Sequence, residues 1–526
     1  MTNKTNHRNA QNQYDGFLKS NVSAVVDQVK QIKPIAVQTP LIPEHVYHTD
    51  NNAELAKKLN IKLNSQSYIG EVEGKVNLAA PTSGVAQVQT LTFDNPNAAA
   101  GNATGNFSCY LTSLVQNYNK HSNNMNITAT LAHTTTAAQL ETALNALPIV
   151  QLYGSLDVVL TAGTIALHTA VFTITWRSMG VKPIIYGNAN LADTTVYGAS
   201  YIASAVTSAG LGYKDNVGLY MFDRIKLKSG NTEVFDWDYK AVMDIVLDRM
   251  PKDRIEELWE RTGGYDFESG YVYVPIPVPW SELWSEAYNH LDPHTHWYPA
   301  GAIKEELEFE LTFASAAQLC DSGATGNLSG FELHHEEGEM DEKTMAVHKD
   351  EIKRSGWQMR ALHFETVSKN AIVTATLTDV DLSNFTSQGS AKFYYLHLIK
   401  SASITANDYY EGEPITELRL KDDNRKMFDD ITEAIDIESR HRYKLGKRPG
   451  SLYGKRYMIN FGSGNLHNLF DYYGAWNKMK INEITLQVKH AAGENCNLYV
   501  TAAIFVDLVV NQNGQFRRVY GGDLYS

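Results

Sequence analysis

Four stretches of this sequence carry residues that could do chemistry. Asp292-Pro293-His294-Thr295-His296 sets two imidazoles two residues apart. On a β-barrel scaffold such a pair can hold a metal when a glutamate follows closely and a second histidine motif completes the ligand set. Here the next acid is Glu305 and no partner histidine follows at a suitable distance, so a loop or a subunit contact is the expected role. Phe331–Glu351, FELHHEEGEMDEKTMAVHKDE, gathers carboxylates with His334, His335 and His348. Glu339 stands where a His-Glu-x-x-His zinc helix starting at His335 would need its second histidine. The segment reads as a solvated junction between two domains, with a cation at a subunit contact as the alternative. RHRYKLGKRPG and the two residues Lys455 and Arg456 bring together Arg440, Arg442, Lys444, Lys447, Arg448, Lys455 and Arg456. Nucleic acid or anionic lipid could use such a basic patch; a complementary contact with an acidic patch on a neighbouring subunit is the preferred reading. Gly462-Ser463-Gly464 lacks the spacing of a nucleophile elbow, and no Gly-rich loop ends in Lys-Ser or Lys-Thr. No metal, cofactor or catalytic residue is expected, and the chain does not read as an enzyme.

The elements that must position these segments are mostly strands. Ile303–Phe313, IKEELEFELTF, alternates apolar and charged residues with the period of a half-buried strand. Tyr68–Leu78, Ala371–Leu377, Ile484–Val488 and Leu498–Val506 show the same alternation. Tyr271–Pro279, YVYVPIPVP, is extended, and its three prolines predict a sheet edge or a strand running into a loop. One helix is expected at the N-terminus: Leu18, Val22, Val25, Val26 and Val29 recur at helical spacing, and Pro34 stops the run. It either packs on its own domain or, with the polar residues ahead of it, forms an arm that contacts a neighbouring subunit or a membrane surface.

With 526 residues, the chain has material for several domains. Forty-six Lys and Arg against 59 Asp and Glu leave a formal charge of −13, which excludes a protein whose whole surface grips nucleic acid. No apolar run reaches the roughly 20 residues of a membrane span. The polar start MTNKTNHRNAQNQ does not look like a secretory signal. Cys109, Cys320 and Cys496 are too few and too scattered for a disulfide framework. A soluble protein folded in a reducing cytoplasm is expected.

The two halves of the chain repeat. Arg224–Val246 aligns with Glu417–Ser439, setting Leu227 on Leu420, Lys228 on Lys421, Asn231 on Asn424, Phe235 on Phe428 and Asp236 on Asp429. Each copy reads as a strand, a polar turn and a Phe-Asp step opening a helix. An aromatic extended segment follows in each (Tyr271–Val278; Arg456–Phe461), then an aromatic-rich loop, then an alternating strand (Ile303–Phe313; Ile481–Val488). The separations, about 193, 184 and 177 residues, drift only by loop-sized amounts. Two tandem β-sandwiches of jelly-roll size account for this order.

Between the strands of the first copy lies a segment of different composition, residues 85–192, rich in Ala, Thr and Asn and almost free of charge. Thr135–Pro148, TTAAQLETALNALP, predicts a helix with a Thr N-cap, a buried stripe of Leu140, Ala143, Leu144 and Leu147, and a stop at Pro148. Strands are expected at Gln89–Phe93, Met125–Leu131, Leu156–Leu160 and Ala170–Trp176. In the order QTLTF, TAAQLETALNALP and VFTITW, the segment resembles a small β-module found in phage structural and bacterial surface proteins.

The whole layout resembles the double jelly-roll major capsid proteins of tailless, membrane-containing bacteriophages and related DNA viruses. The residues that carry the likeness are the N-terminal helix, PIAVQTPLIPEHVYHTDNNAELAKKLNIKL leading into SYIGEVEGKVNL, FDRIKLKSGNTEVFDWD, and YVYVPIPVPWSELW with WYPAGAIKEELEFELTF. The fold so implied is all-β: two tandem jelly-roll β-sandwiches, a small mostly-β domain inserted in the first, and an N-terminal amphipathic helix. The implied boundaries are 1–34 for the arm and helix, 35–84 and 193–327 for the first jelly roll, 85–192 for an outer tower, and 328–526 for the second jelly roll. The resemblance implies a virion protein, synthesised in the host cytoplasm, that forms pseudo-hexagonal homotrimers tiling an icosahedral shell over an internal membrane. Its partners would be itself, penton and minor capsid proteins, and membrane lipid at the inner helix, with no specific nucleic-acid binding. Two other readings remain open: a multi-domain β-sandwich adhesin or carbohydrate-binding surface protein, and a cupin-type or hydrolytic enzyme on a jelly-roll scaffold.

Overall fold

The computed structural model describes residues 42–50, 53–63, 68–94, 103–111, 127–132, 134–164, 169–193, 201–249, 252–280, 298–303, 305–339, 342–383, 385, 390–401, 412–422, 425–426, 456–461, 476–477, 483–491 and 493–520. The first sandwich opens with β1 (Ile42–Asp50), β2 (Lys58–Leu63) and β3 (Tyr68–Thr82). The chain then leaves it for a separate unit: β4 (Ala86–Asp94), β5 (Ala103–Leu111), β6 (Leu131–Ala132), α1 (Ala137–Asn145), α2 (Pro148–Leu152), β7 (Leu156–Thr164), β8 (Thr169–Met179), β9 (Ile185–Asp193) and β10 (Tyr201–Ser208). It returns with β11 (Phe222–Ser229), β12 (Thr232–Asp238), α3 (Tyr239–Arg249), α4 (Lys252–Arg261), β13 (Gly270–Pro275), β14 (Leu307–Phe313), α5 (Ala316–Leu319) and β15 (Thr325–Glu339). Helix α6 (Glu342–Ser355) leads into the second sandwich: β16 (Trp357–Ile372), β17 (Thr378–Asp381), β18 (Ser390–Lys400), β19 (Ile415–Asp422), β20 (Arg425–Lys426), β21 (Arg456–Asn460), β22 (Trp476–Asn477), β23 (Ile484–His490), β24 (Cys496–Val510) and β25 (Phe516–Tyr520).

The strand orders show that the two sandwiches share one plan. The first pairs a β1-β15-β3-β13 sheet with a β12-β11-β14-β2 sheet. The second pairs β16-β24-β18-β21 with β20-β19-β23-β17, and the first of these is extended by β22 and β25. Taken in chain order, each strand of the first sandwich has its counterpart at the same place in the second, which is the eight-stranded jelly roll. The register agrees with the sequence repeat. Leu227 on β11 faces Phe309, and its counterpart Leu420 on β19 faces Leu486. Ile225 faces Leu311, and Leu418 faces Val488. All eight side chains are buried, because a period-two pattern must keep its register to keep its apolar face inside.

Local chemistry explains the elements. In β14 the alternation puts Leu307, Phe309, Leu311 and Phe313 in the core and leaves the glutamates half-buried. Among the described residues β13 pairs only with β3, the edge position its prolines predict. Helix α1 starts at the Thr136 N-cap with a capping box to Gln139, and it buries Leu140 and Leu144. Pro148 does more than stop it: as the first residue of α2, it uses its preset φ to start a second short helix. Helix α3 opens at Tyr239, three residues after the Phe235-Asp236 step, which itself lies in β12; the Asp238 carboxylate accepts the Ala241 N–H at 3.0 Å. Ala371–Leu377 is mostly a turn. β16 ends at Ile372 after a register break beyond Lys369; Ala371 at that irregular end and Ala375 beyond it take left-handed φ values (56° and 55°), outside the extended region of a regular strand. Of Met125–Leu131, only a bridge at Ile127 and the start of β6 are extended among the described residues.

Element boundaries differ from the sequence reading at two places. β10 pairs along β4, so the inserted unit runs past residue 192 to Ser208; its Ala- and Ser-rich sequence hides it from hydrophobic patterning. β15 lies between β1 and β3, so the first sandwich extends beyond 327 to Glu339. The inserted unit has its own core, including Leu91, Phe93, Phe107, Phe172, Ile174 and Trp176. Its neck is narrow. Val85 and Leu211 exchange two backbone hydrogen bonds of 2.8 Å, and a Cβ on Gly210 would lie 1.7 Å from the Gly180 carbonyl oxygen.

Candidate assembly surface

The two sandwiches meet along a buried seam. Strand β18, SAKFYYLHLIK, is buried from Ala391 to Ile399 without a break. Tyr394, Leu396 and Leu398 join the core of the second sandwich. Phe393 and Tyr395 join the core that begins in the first, together with Trp357, Phe364, Ala503 and Phe505. A strand covered on both faces loses its polar alternation, and this is why the segment reads as one apolar run.

Strand β12 and helix α3 of the first sandwich supply the other side. Trp237 meets Phe364 edge to face with ring centroids 5.4 Å apart, and Tyr298 meets Trp357 at 5.7 Å. Arg518 donates to Glu233 at 3.3 Å, and the Phe516 N–H donates to Glu305 at 3.3 Å. His397 Nδ1 lies 3.2 Å from Asp244, and both groups are almost fully buried. Burial pushes the Asp238 carboxyl up, opposed by its bond to Ala241. Burial likewise lowers His363, partly offset by Glu365. Each large apolar side chain sealed here contributes about 1.5–3 kcal/mol, so the two sandwiches form a permanent pair.

The matching face on the first sandwich is chemically different. On the outer side of β1-β15-β3-β13, Lys75 pairs with Glu332 at 3.4 Å and the His334 ring with Glu332 at 2.8 Å. The His334 hydrogen bond and Lys75 hold the Glu332 carboxyl below its usual range against the effect of burial. Arg261 pairs with Glu73 and lies over the Tyr273 ring at 5.0 Å; Lys75 lies over Tyr271 at 4.4 Å. Glu73, Lys75, Arg261, Tyr273, Glu332 and His334, with Thr49, line an open concavity of about 690 Å³. Tyr271 is 59% exposed.

The other outer sheet of the first sandwich carries charge in columns. Lys58 and Lys228 flank Glu310 at 2.7 and 2.8 Å, and Lys226 reaches Glu233 at 2.6 Å. The bonds from Lys228 and Lys58 bring the Glu310 carboxyl down to about 2.

The residues singled out from sequence are distributed as follows. Leu18, Val22, Val25, Val26 and Val29, the His294/His296 pair, and Arg440, Arg442, Lys444, Lys447, Arg448 and Lys455 lie outside the described residues. Arg456 opens β21, where its backbone pairs with His397. The histidine-carboxylate segment is not chiefly a solvated junction. Its first part is β15, a strand inside a sheet, with His334 and His335 buried; only α6 links the sandwiches. Among the described residues, no cluster of His, Cys, Asp or Glu could hold a metal. No helix among them is long and apolar enough to cross a membrane. Trp237, Asp244 and Arg518 escaped sequence reasoning; the unbroken FYYLHLI run was the one available signal for the seam.

No protein-family model and no curated protein sequence matches the chain. Solved structures do. PBCV-1 VP54, fitted into a cryo-EM reconstruction of the virophage Sputnik, aligns over 92% of this chain and 97% of its own, with a TM-score of 0.51 and 8% identity. The Faustovirus major capsid protein aligns over 89% of this chain and 90% of its own, with a TM-score of 0.51 and 10% identity. At such identities the likeness establishes the fold: this chain is a double jelly roll of the kind seen in viral major capsid proteins.

Proposed function

We propose that this chain is a major capsid protein that works by assembly, not turnover. Three copies form a homotrimer whose six sandwiches give a nearly six-sided outline, and such trimers tile an icosahedral virion shell over an internal membrane. The observation that carries this reading is the shared strand order and register of two sandwiches within one chain. Two like units joined rigidly in one subunit let three copies imitate sixfold shape, and cyclic closure needs only that the contact between unlike halves repeat. The capsid proteins that share the fold support the same conclusion.

In this arrangement the helix bearing Leu18, Val22, Val25, Val26 and Val29 faces the inner side, near membrane lipid or beneath neighbouring trimers. The inserted unit stands outward, and penton and minor capsid proteins meet the trimers where the lattice changes. Light scattering on the purified protein tests the reading. A stable species of three times the 58.7 kDa chain mass is expected. A monomer that binds sugars would overturn it in favour of a surface adhesin.

A further inference from the structure

We infer that the loop between α4 and β13, Thr262–Ser269, is a latch: it holds the inserted unit in one attitude on the first sandwich, and its release frees the folded unit to swing on its two chain crossings. The inference follows from the fold and goes beyond the capsid reading, which places the unit without saying whether it moves.

The crossings alone make a hinge. The chain enters and leaves the unit side by side, at Val85 and Leu211, joined by two backbone hydrogen bonds of 2.8 Å. Among the described residues, no strand of the unit joins a sheet of either sandwich, and the unit carries its own core. Beside the crossings, the Asp321 carboxylate accepts the Gly212 N–H at 3.1 Å and also bonds the Val181 N–H. One ladder rung and one carboxylate sit at a single corner, where a folded unit can pivot.

The loop supplies a second hold. Its root is fixed to the first sandwich. Gly263 and Gly264 take positive φ (113° and 60°) and turn the chain off α4. The Gly218 N–H donates to the Thr262 carbonyl at 2.8 Å, and the Asn216 N–H to the Gly264 carbonyl at 2.7 Å. Its tip is fixed to the inserted unit. The Glu268 carboxylate accepts the Met179 N–H at 3.1 Å, and Lys182 Nζ donates to the Tyr265 carbonyl oxygen at 3.1 Å. The Tyr265 ring lies 4.8 Å from that of Tyr153, in the unit's core, and 5.2 Å from that of Trp259, in the core of the first sandwich. Tyr265 is therefore the key that engages both cores.

Lys182 pins the latch closed. It is 3% exposed, and its ammonium lies over the Tyr153 ring at 5.9 Å. Gln87 grips its backbone from both sides, Nε2 donating to the Lys182 carbonyl at 2.8 Å and Oε1 accepting the Lys182 N–H at 2.9 Å. Burial draws the Lys182 pKa down, and Asp215, Asp266, Glu268 and Asp321 oppose it. A buried charge is tolerated only where partners compensate it. All four acids belong to the first sandwich, so a cation of the inserted unit is neutralised across the joint.

Pulsed electron spin resonance on the full-length protein tests this. Spin labels go on Val159→Cys in the inserted unit and Lys62→Cys in the first sandwich, both exposed positions. The three native thiols are buried and stay unlabelled, and dilution with unlabelled chain leaves only distances within one chain. With the latch intact, one narrow distance distribution is expected. Adding Tyr265→Ala and Glu268→Ala should broaden it about twofold or more, while hydrogen exchange at Phe172 and Ile174, in the unit's core, stays as slow as before. If the double variant also loses that protection, Glu268→Ala alone, which takes no side chain from either core, is read in the same way. A distribution as narrow in the folded latch variant as in its parent, or one already broad in the parent, overturns the latch. Since the distance lies within one chain, either result leaves the capsid reading untouched.

Discussion

Replacing Phe364 with alanine removes a ring from the seam without touching the interior of the second sandwich. Phe364 is 2% exposed and belongs to the same core as Trp237 and Phe505. Truncating a buried Phe costs about 3–5 kcal/mol, and the lost edge-to-face contact with Trp237 accounts for about 0.5–1.5 kcal/mol of it. Against a typical stability of about 5–15 kcal/mol, this is a large fraction. The distinctive expectation concerns cooperativity. Because one apolar core runs from the first sandwich across the seam, the wild-type sandwiches should unfold together. In Phe364→Ala the transition should split, the second sandwich retaining its own core around Leu396, Leu486 and Val500. Urea unfolding followed by hydrogen exchange on the β18 and β24 amides reads both effects, and a double-mutant cycle with Trp237→Ala isolates the ring contact. A loss below about 1 kcal/mol, or a transition that stays single, would refute the claim that the seam couples the halves.

Other consequences follow from particular residues. Glu310 has its folded-state pKa depressed to about 2 from 4.5, so its contribution is complete above the unfolded value and disappears as pH falls from about 4.5 toward 2. Glu310→Gln should cost about 1 kcal/mol at neutral pH, given that Lys58 is exposed and Lys228 only partly buried, and should flatten the acid limb of the stability curve. Gly210→Ala should displace the neck of the inserted unit, since its Cβ would collide with the Gly180 carbonyl; proteolysis near residue 210 should become faster while the joint thermal transition of the two sandwiches is unmoved. Burial raises the thiol of Cys109 to about 12 and those of Cys320 and Cys496 to about 11. A thiol reagent at pH 8 should therefore label none of the three in the native protein and all of them in denaturant.

Much of this architecture was legible because period-two patterning must hold wherever one face is buried. Leu227, Leu420, Phe309 and Leu486 betray both sandwiches and their equivalence without any structure. The Thr N-cap and the Leu140/Leu144 stripe likewise announce α1 from local chemistry alone. Long-range pairing hid the rest. β15 carries so many carboxylates that it reads as a solvated run, yet Phe331, Leu333 and His335 face a core assembled from distant strands. Ala371–Leu377 alternates like a strand but turns, since alternation cannot report a left-handed φ. The seam was hardest. Trp237 and Asp244 lie far along the chain from Phe364 and His397, and only the folded molecule brings them together.

The claim that two equivalent sandwiches serve to build a six-sided block is tested most directly by imaging the purified assembly along its symmetry axis. The account predicts threefold averages with six barrel-sized lobes, alternating between those that bear an inserted unit and those that do not. A particle without threefold symmetry, or one whose lobes number other than six, would contradict it.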